Sequence, residues 1–200
     1  MKSLFFLTLP FIILACTDPA SQVYSNQASL TSEEGLFLDS LLMPKGFQVE
    51  VYGRVDNARS MAMSPDGTLF VGNKANGSVY ALQDRNNDMK ADTLYTIAKD
   101  LIMPNGIAFK DGALYVAEID KLWRYDAIED NLNDPKATLI YNDFPEDSHH
   151  GWKYIAFGPD GKLYVPVGAP CNVCETKDDT YYASIISMDA DGTNREIVAK

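Results

Sequence analysis

The chain has two histidines, and they are adjacent, in Asp147-Ser148-His149-His150-Gly151-Trp152. A neutral imidazole is the side chain best suited to accept a proton near neutral pH. On a loop beside an aromatic ring, His149, His150 and Trp152 are therefore a candidate functional group; the plainer reading is an exposed pair with no role. Metal ligation is less well served, because adjacent side chains usually diverge and no third ligand is evident. A second acidic constellation is Asp84-Arg85-Asn86-Asn87-Asp88-Met89-Lys90-Ala91-Asp92. Asp84, Asn86, Asp88 and Asp92 set oxygen side chains at the first, third, fifth and ninth positions, as a calcium loop does. Met89 stands where glycine is expected and Tyr95 where a closing glutamate belongs, which leaves a degenerate calcium site or a plain acidic turn.

Cys171-Asn172-Val173-Cys174 is the third candidate. A c-type haem site needs histidine next, and Glu175 stands there; a structural zinc site needs two more ligands that the chain lacks. A short disulfide or a redox pair remains. The missing βαβ context favours a local structural disulfide between Cys171 and Cys174.

These groups need elements to position them, and a repeat supplies the elements. Arg59–Val71, Asn105–Val116 and Lys153–Val165 superpose in sequence. Each is an apolar strand, an Asp-Gly turn and a second strand ending in an aromatic residue and valine. Asp-Gly between apolar runs marks a hairpin, since the turn needs positive φ. Gly67, Gly112 and Gly161 recur at intervals of 45 and 49 residues. Periods of roughly 40–50 residues with four strands each describe propeller blades. Third and fourth strands are predicted at Ser78–Leu82 and Thr93–Ile97, at Lys121–Tyr125 and Ala137–Tyr141, and at Ala183–Met188 and Arg195–Val198. The fold class is all-β, a β-propeller with about three blades in this chain. Three blades do not close a ring, so the chain reads as the N-terminal portion of a longer protein. Phe47–Tyr52 is predicted as a further strand that completes a last blade, and Leu30–Leu42 as a short helix opened by Thr31-Ser32-Glu33-Glu34.

In a propeller the innermost strand of each blade starts near the axis. The alignment puts Arg59, Asn105 and Lys153 at that point in successive blades, where they face a shared ligand or simply end solvated strands.

Composition narrows the class. With 17 Lys+Arg against 28 Asp+Glu, the formal net charge is −11, which disfavours nucleic acid as a partner. A hydrophobic share of 46% excludes global disorder. Lys2 and the apolar run Leu4–Leu14 describe a secretory signal, too short to span a bilayer. Ile13-Leu14-Ala15-Cys16 resembles the bacterial lipobox, which makes Cys16 the lipidated first residue. The organisation expected is a lipoprotein signal peptide at 1–15, a tether and short helix at 16–43, and the propeller half at 44–200. The corresponding location is the bacterial cell envelope, as a periplasmic or outer-membrane lipoprotein with the membrane as partner through its anchor.

From Pro44-Lys45-Gly46-Phe47 onward the chain resembles the soluble glucose/sorbosone dehydrogenase family. The most specific stretch is His149-His150-Gly151-Trp152-Lys153-Tyr154-Ile155-Ala156-Phe157-Gly158-Pro159-Asp160-Gly161-Lys162-Leu163-Tyr164-Val165, continuing to Cys174. It is similar to the sorbosone-dehydrogenase-like branch. The resemblance implies a six-bladed propeller, the cofactors pyrroloquinoline quinone (PQQ) and calcium, a sugar substrate and an external electron acceptor. It implies that His150 is the general base and that His149 and Asn105, with Trp152, contact substrate. Arg59 and Lys153 are the cations this chain offers to PQQ, itself an anion. His149 replaces the glucose enzymes' acidic sugar contact and Gly168-Ala169 their Gly-Asp, so glucose is not the expected substrate. The complete protein is then a PQQ-dependent oxidoreductase acting on a sugar hydroxyl or hydrated aldehyde, of which this chain is an inactive portion. Pro104-Asn105-Gly106-Ile107-Ala108-Phe109 is also similar to the gluconolactonase-like metal hydrolases, in which the Asn binds metal. A non-catalytic ligand-binding propeller is the third possibility.

Overall fold

The computed structural model describes residues 38, 41–173 and 181–200. Cys16, Cys174, the signal segment and most of the expected helix lie outside the described residues. Twelve strands form three four-stranded antiparallel meanders. Blade one is β1 (Ala58–Met63), β2 (Leu69–Asn73), β3 (Val79–Gln83) and β4 (Thr93–Ala98). Blade two is β5 (Gly106–Lys110), β6 (Ala113–Ala117), β7 (Leu122–Tyr125) and β8 (Ala137–Tyr141). Blade three is β9 (Ala156–Phe157), β10 (Leu163–Val167), β11 (Ser184–Met188) and β12 (Glu196–Ala199). Strand order within each blade follows the sequence, and β5 packs against β1 and β9, so the innermost strands are neighbours. This is the blade arrangement of a β-propeller.

The Asp-Gly turns have two geometries. In blade two, Lys110 pairs directly with Ala113, and both turn residues are left-handed, Asp111 at φ 50° and Gly112 at φ 78°. That is the two-residue turn whose twist suits a hairpin. In blades one and three the loop is longer, with Ser64 N donating to Thr68 O and Gly158 N to Lys162 O; Gly67 and Gly161 hold the positive φ.

The core lies in the seams. Phe70, Val79, Tyr95, Ile107, Leu114 and Val116 pack between blades one and two. Tyr115, Leu122, Ile155, Leu163, Val165 and Ile186 fill the seam between blades two and three. Phe70 stacks on Phe109 at 5.8 Å and Tyr115 meets Phe157 edge-on at 4.8 Å, each pair crossing a seam. Met61 and Met63, on the face of β1 turned from this core, are 60% and 57% exposed.

Two expectations change. Phe47–Tyr52 is not a strand: among the described residues no strand lies beside it, and Tyr52 O accepts a bond from Ala91 N outside any ladder. The first strand of the third repeat, expected from Lys153, begins only at Ala156. Lys162 O accepts from Gly158 N, so Tyr164 and Pro166, at alternate positions, also direct their backbone groups toward β9. Pro166 has no N–H to give there, and the ladder stops.

A buried carboxylate joins the first two blades. Glu118, 3% exposed, accepts from Trp123 Nε1 at 2.6 Å and from the backbone N of Ile102. Glu118→Leu orphans both donors, and we expect it to lower stability by about 2–4 kcal/mol. A urea midpoint that falls at unchanged slope is the expected result; an unchanged midpoint refutes this role.

Candidate functional site

The loop that enters blade three carries the histidines. It is built by close backbone approaches: a Cβ at Gly151 would lie 2.0 Å from Asp147 O, and one at Gly168 would lie 2.2 Å from His150 O. Both positions accept only glycine without a shift of the backbone. The second contact registers the segment after β10 against His150, whose own φ is +56°. Both imidazoles are exposed. Their rings meet edge to face at 4.1 Å, and His150 lies 6.3 Å from the Trp152 ring.

Contrary to the divergence expected of adjacent side chains, the two rings converge. Nε2 of His150 lies 2.8 Å, and Nε2 of His149 3.2 Å, from Oδ1 of Asn172. Asn172 follows Cys171, which is disulfide-bonded, so the residue meeting both rings sits on a covalently tied loop. Its sequence signal was the Cys171-to-Cys174 motif itself, but its partners stand 22 and 23 residues upstream.

Two cations from blade one lie against the Trp152 ring. Lys74 Nζ lies 3.6 Å from the ring centroid and Arg59 Cζ lies 5.7 Å away. Cation–π contacts of this kind are worth about 0.5–2 kcal/mol, depending on exposure. Arg59 is on β1 and exposed. Lys74, which sequence reasoning missed, follows β2. Because β1 and β2 are antiparallel and Ala58 pairs with Asn73, the exit of the second strand lies beside the entry of the first. That adjacency was the available signal. The turn bearing Lys74 is rigid: buried Asn73 Oδ1 accepts from Asn76 N and Gly77 N, and Asn57 Oδ1 accepts from Lys74 N and Ala75 N.

The three residues aligned at the strand entries separate in space. Arg59 faces solvent beside Trp152, whereas Asn105 and Lys153 are 3% and 1% exposed. Asn105 Nδ2 donates to Lys153 O at 2.7 Å, tying blade two to blade three, and its Oδ1 is buried without a partner among the described residues. Lys153 Nζ donates to Gly151 O at 3.1 Å and to Ile119 O, and lies 4.9 Å from the Phe144 ring. Burial pulls its pKa down to about 8, and the Asp120 charge opposes that only in part. Asn105 and Lys153 therefore serve the seam, the one through its amide nitrogen and the other through its ammonium. The apolar neighbours of the third repeat draw the lysine inward, and two backbone carbonyls receive its ammonium.

At the expected calcium loop the carboxylates meet backbone amides. Asp84 Oδ1 accepts from the backbone N of Asn86, Asn87 and Asp88, and its Oδ2 from Met89 N. Asp88 Oδ1 accepts from Lys90 N and Asp92 Oδ2 from Arg85 N, while Asn86 turns its Nδ2 toward both carboxylates. The carboxylates are used as turn caps. Among the described residues no three His, Cys, Asp or Glu side chains gather as a metal site.

The comparisons with known proteins agree with this fold. The holo form of the pyranose dehydrogenase PQQ domain from Coprinopsis cinerea superposes with a TM-score of 0.57 at 15% identity, over 68% of this chain and 34% of that one. The PQQ-bound aldose sugar dehydrogenase from Streptomyces coelicolor gives 0.54 at 20% identity, over 70% of this chain and 46% of that one. An uncharacterized protein of Borreliella burgdorferi is 26% identical over an alignment 188 residues long that covers 86% of this chain and 46% of the relative. The chain therefore spans less than half the length of each of these proteins. A family model described as "Domain of unknown function (DUF7133)" matches residues 36–198. Matched over most of its length, the chain belongs to the DUF7133 family, on the β-propeller fold that PQQ-dependent sugar dehydrogenases share.

Proposed function

We propose that the complete protein is a PQQ-dependent oxidoreductase of a sugar or aldose, with His150 as general base. The observation that carries this reading is the cluster of His150, Lys74 and Arg59 around Trp152. Two cations gathered on an indole suit an anionic, aromatic molecule, which is the chemistry of PQQ. When bound, that quinone supplies the hydride acceptor. Trp152 offers its face, Lys74 and Arg59 balance carboxylate charge, and His150 takes the proton of the substrate hydroxyl. His149, beside the base, contacts the substrate. Calcium, the second cofactor the family resemblance implies, would polarise the quinone carbonyl; among the described residues no three His, Cys, Asp or Glu side chains gather to hold it. The N-terminal sequence supports an envelope location with Cys16 as the lipid anchor. The hydrolase alternative needs Asn105 as a metal ligand, and the burial of Asn105 in the seam gives it no support.

The test is reduction of an artificial electron acceptor by the full-length protein with a panel of aldoses, with and without PQQ. Sugar-dependent reduction that requires PQQ is expected; none across the panel refutes the reading. Lys74→Gln and Arg59→Gln should each weaken PQQ binding by roughly tenfold, as befits a lost contact to a charged group. Titration of the full-length apoprotein with PQQ measures this, and unchanged affinity in both variants removes the cations from the site.

A further inference from the structure

We propose that Asn172 is the positioning residue of the histidine pair. Its amide oxygen accepts the Nε2–H of both rings, fixes both neutral imidazoles as the Nε2-protonated tautomer, and leaves Nδ1 of His150 as the proton-accepting atom. This rests on the reading of His150 as the base.

The geometry is specific. Both Nε2 atoms lie within hydrogen-bond distance of the same Oδ1, at 2.8 and 3.2 Å. An amide oxygen has two lone pairs and no proton, so it satisfies two donors and can satisfy them only if each nitrogen brings its hydrogen. The edge-to-face stacking of the rings at 4.1 Å lets two sequence neighbours reach one acceptor. The acceptor is held in register twice, by the disulfide at Cys171 and by the approach of Gly168 to His150 O. A neutral imidazole has one protonated nitrogen and one basic nitrogen, and the bond made by the first decides which is the second. In the reaction the substrate O–H bond breaks, Nδ1–H forms on His150, and the carbon's hydride leaves to the quinone. The resulting imidazolium keeps its Nε2–H on Asn172.

The opposite orientation of the Asn172 amide predicts the opposite outcome, because an NH2 group would donate into both Nε2 lone pairs. Imidazole 15N shifts of the full-length protein, recorded where both rings are neutral, separate the two. Protonated Nε2 and unprotonated Nδ1 are expected for both histidines. Asn172→Asp keeps an acceptor oxygen and should preserve that pattern. Asn172→Leu should give mixed tautomers, and a kcat lower by roughly 10- to 100-fold at a KM changed by less than about twofold. Asn172→Asp should restore most of the rate. Unprotonated Nε2 in the parent protein, or unchanged tautomers in Asn172→Leu, overturns the proposal. If no variant, the parent included, oxidises sugar with PQQ, the base reading fails, and the 15N pattern still decides whether Asn172 sets the tautomer.

Discussion

His150→Ala in the full-length protein should lower kcat for sugar oxidation by roughly 10²–10⁴-fold, the range for loss of a positioned general base. PQQ affinity should change little, because the cations and the aromatic face that hold an anion come from Lys74, Arg59 and Trp152. A split of this kind, rate lost and cofactor retained, separates a catalytic base from a residue that only shapes the site. It also separates an enzyme from a non-catalytic binding propeller, which has no rate to lose. Equal rates for His150→Ala and the parent protein would remove His150 from the chemistry. His150 is exposed and no core contact depends on its ring, so the variant should fold.

The second large effect is on stability, and its sign follows from Lys153. This ammonium is 1% exposed and its pKa is pulled from 10.5 down to about 8 by burial. Below pH 8 both the folded and the unfolded chain carry the proton, and the group gives no pH dependence. Between pH 8 and 10.5 the unfolded chain still binds the proton that the folded chain has released. Stability therefore rises with pH across that window, and is flat again above it. A shift of this size corresponds to roughly 3 kcal/mol. The released form loses nothing by it, since a neutral amine retains two N–H donors for the two carbonyls, Ile119 O and Gly151 O. Urea midpoints of the full-length protein and Lys153→Met, compared from pH 7.5 to 10, provide the measurement. The stability of the parent relative to the variant should grow toward high pH. Tyr125 and Tyr141, whose pKa values are raised by burial, occur in both proteins and cancel in the difference. A difference that stays constant across the window would mean that Lys153 is not held as a buried ammonium.

How much of this was legible beforehand differs by element. The blades were, because every cue was local. Apolar alternation, an Asp-Gly turn and a recurring interval define a four-stranded meander without reference to anything distant. The outer strands fall within about a residue of their expected bounds, as β8 at Ala137–Tyr141 and β11 at Ser184–Met188 show. Strand β9 was over-read because its ladder is limited by Pro166, nine residues beyond Phe157 and on another strand.

The site was legible as a place more than as a set of roles. His150 and Trp152 stand together on the loop that enters blade three. Equivalence in the repeat did not carry the side chains with it. Arg59, Asn105 and Lys153 share one position in the sequence repeat, yet one faces solvent and two fill a seam. The oxygen spacing of the loop from Asp84 to Asp92 fits cation ligation and turn capping equally well, and only the fold shows the backbone amides of the turn aimed at Asp84.

The sequence by itself determined most of the strands, the blade repeat and the kind of chemistry that two histidines beside an indole can perform. Those properties depend on residue type and short-range spacing. Tertiary structure alone decided which side chains meet: Lys74 of blade one over Trp152 at the entry to blade three, Asn172 on two histidines more than twenty residues away, and a lysine sealed between blades. Such contacts depend on the register of one strand against another and the packing of one blade against the next, and both are set by long-range burial, which no local window of sequence contains.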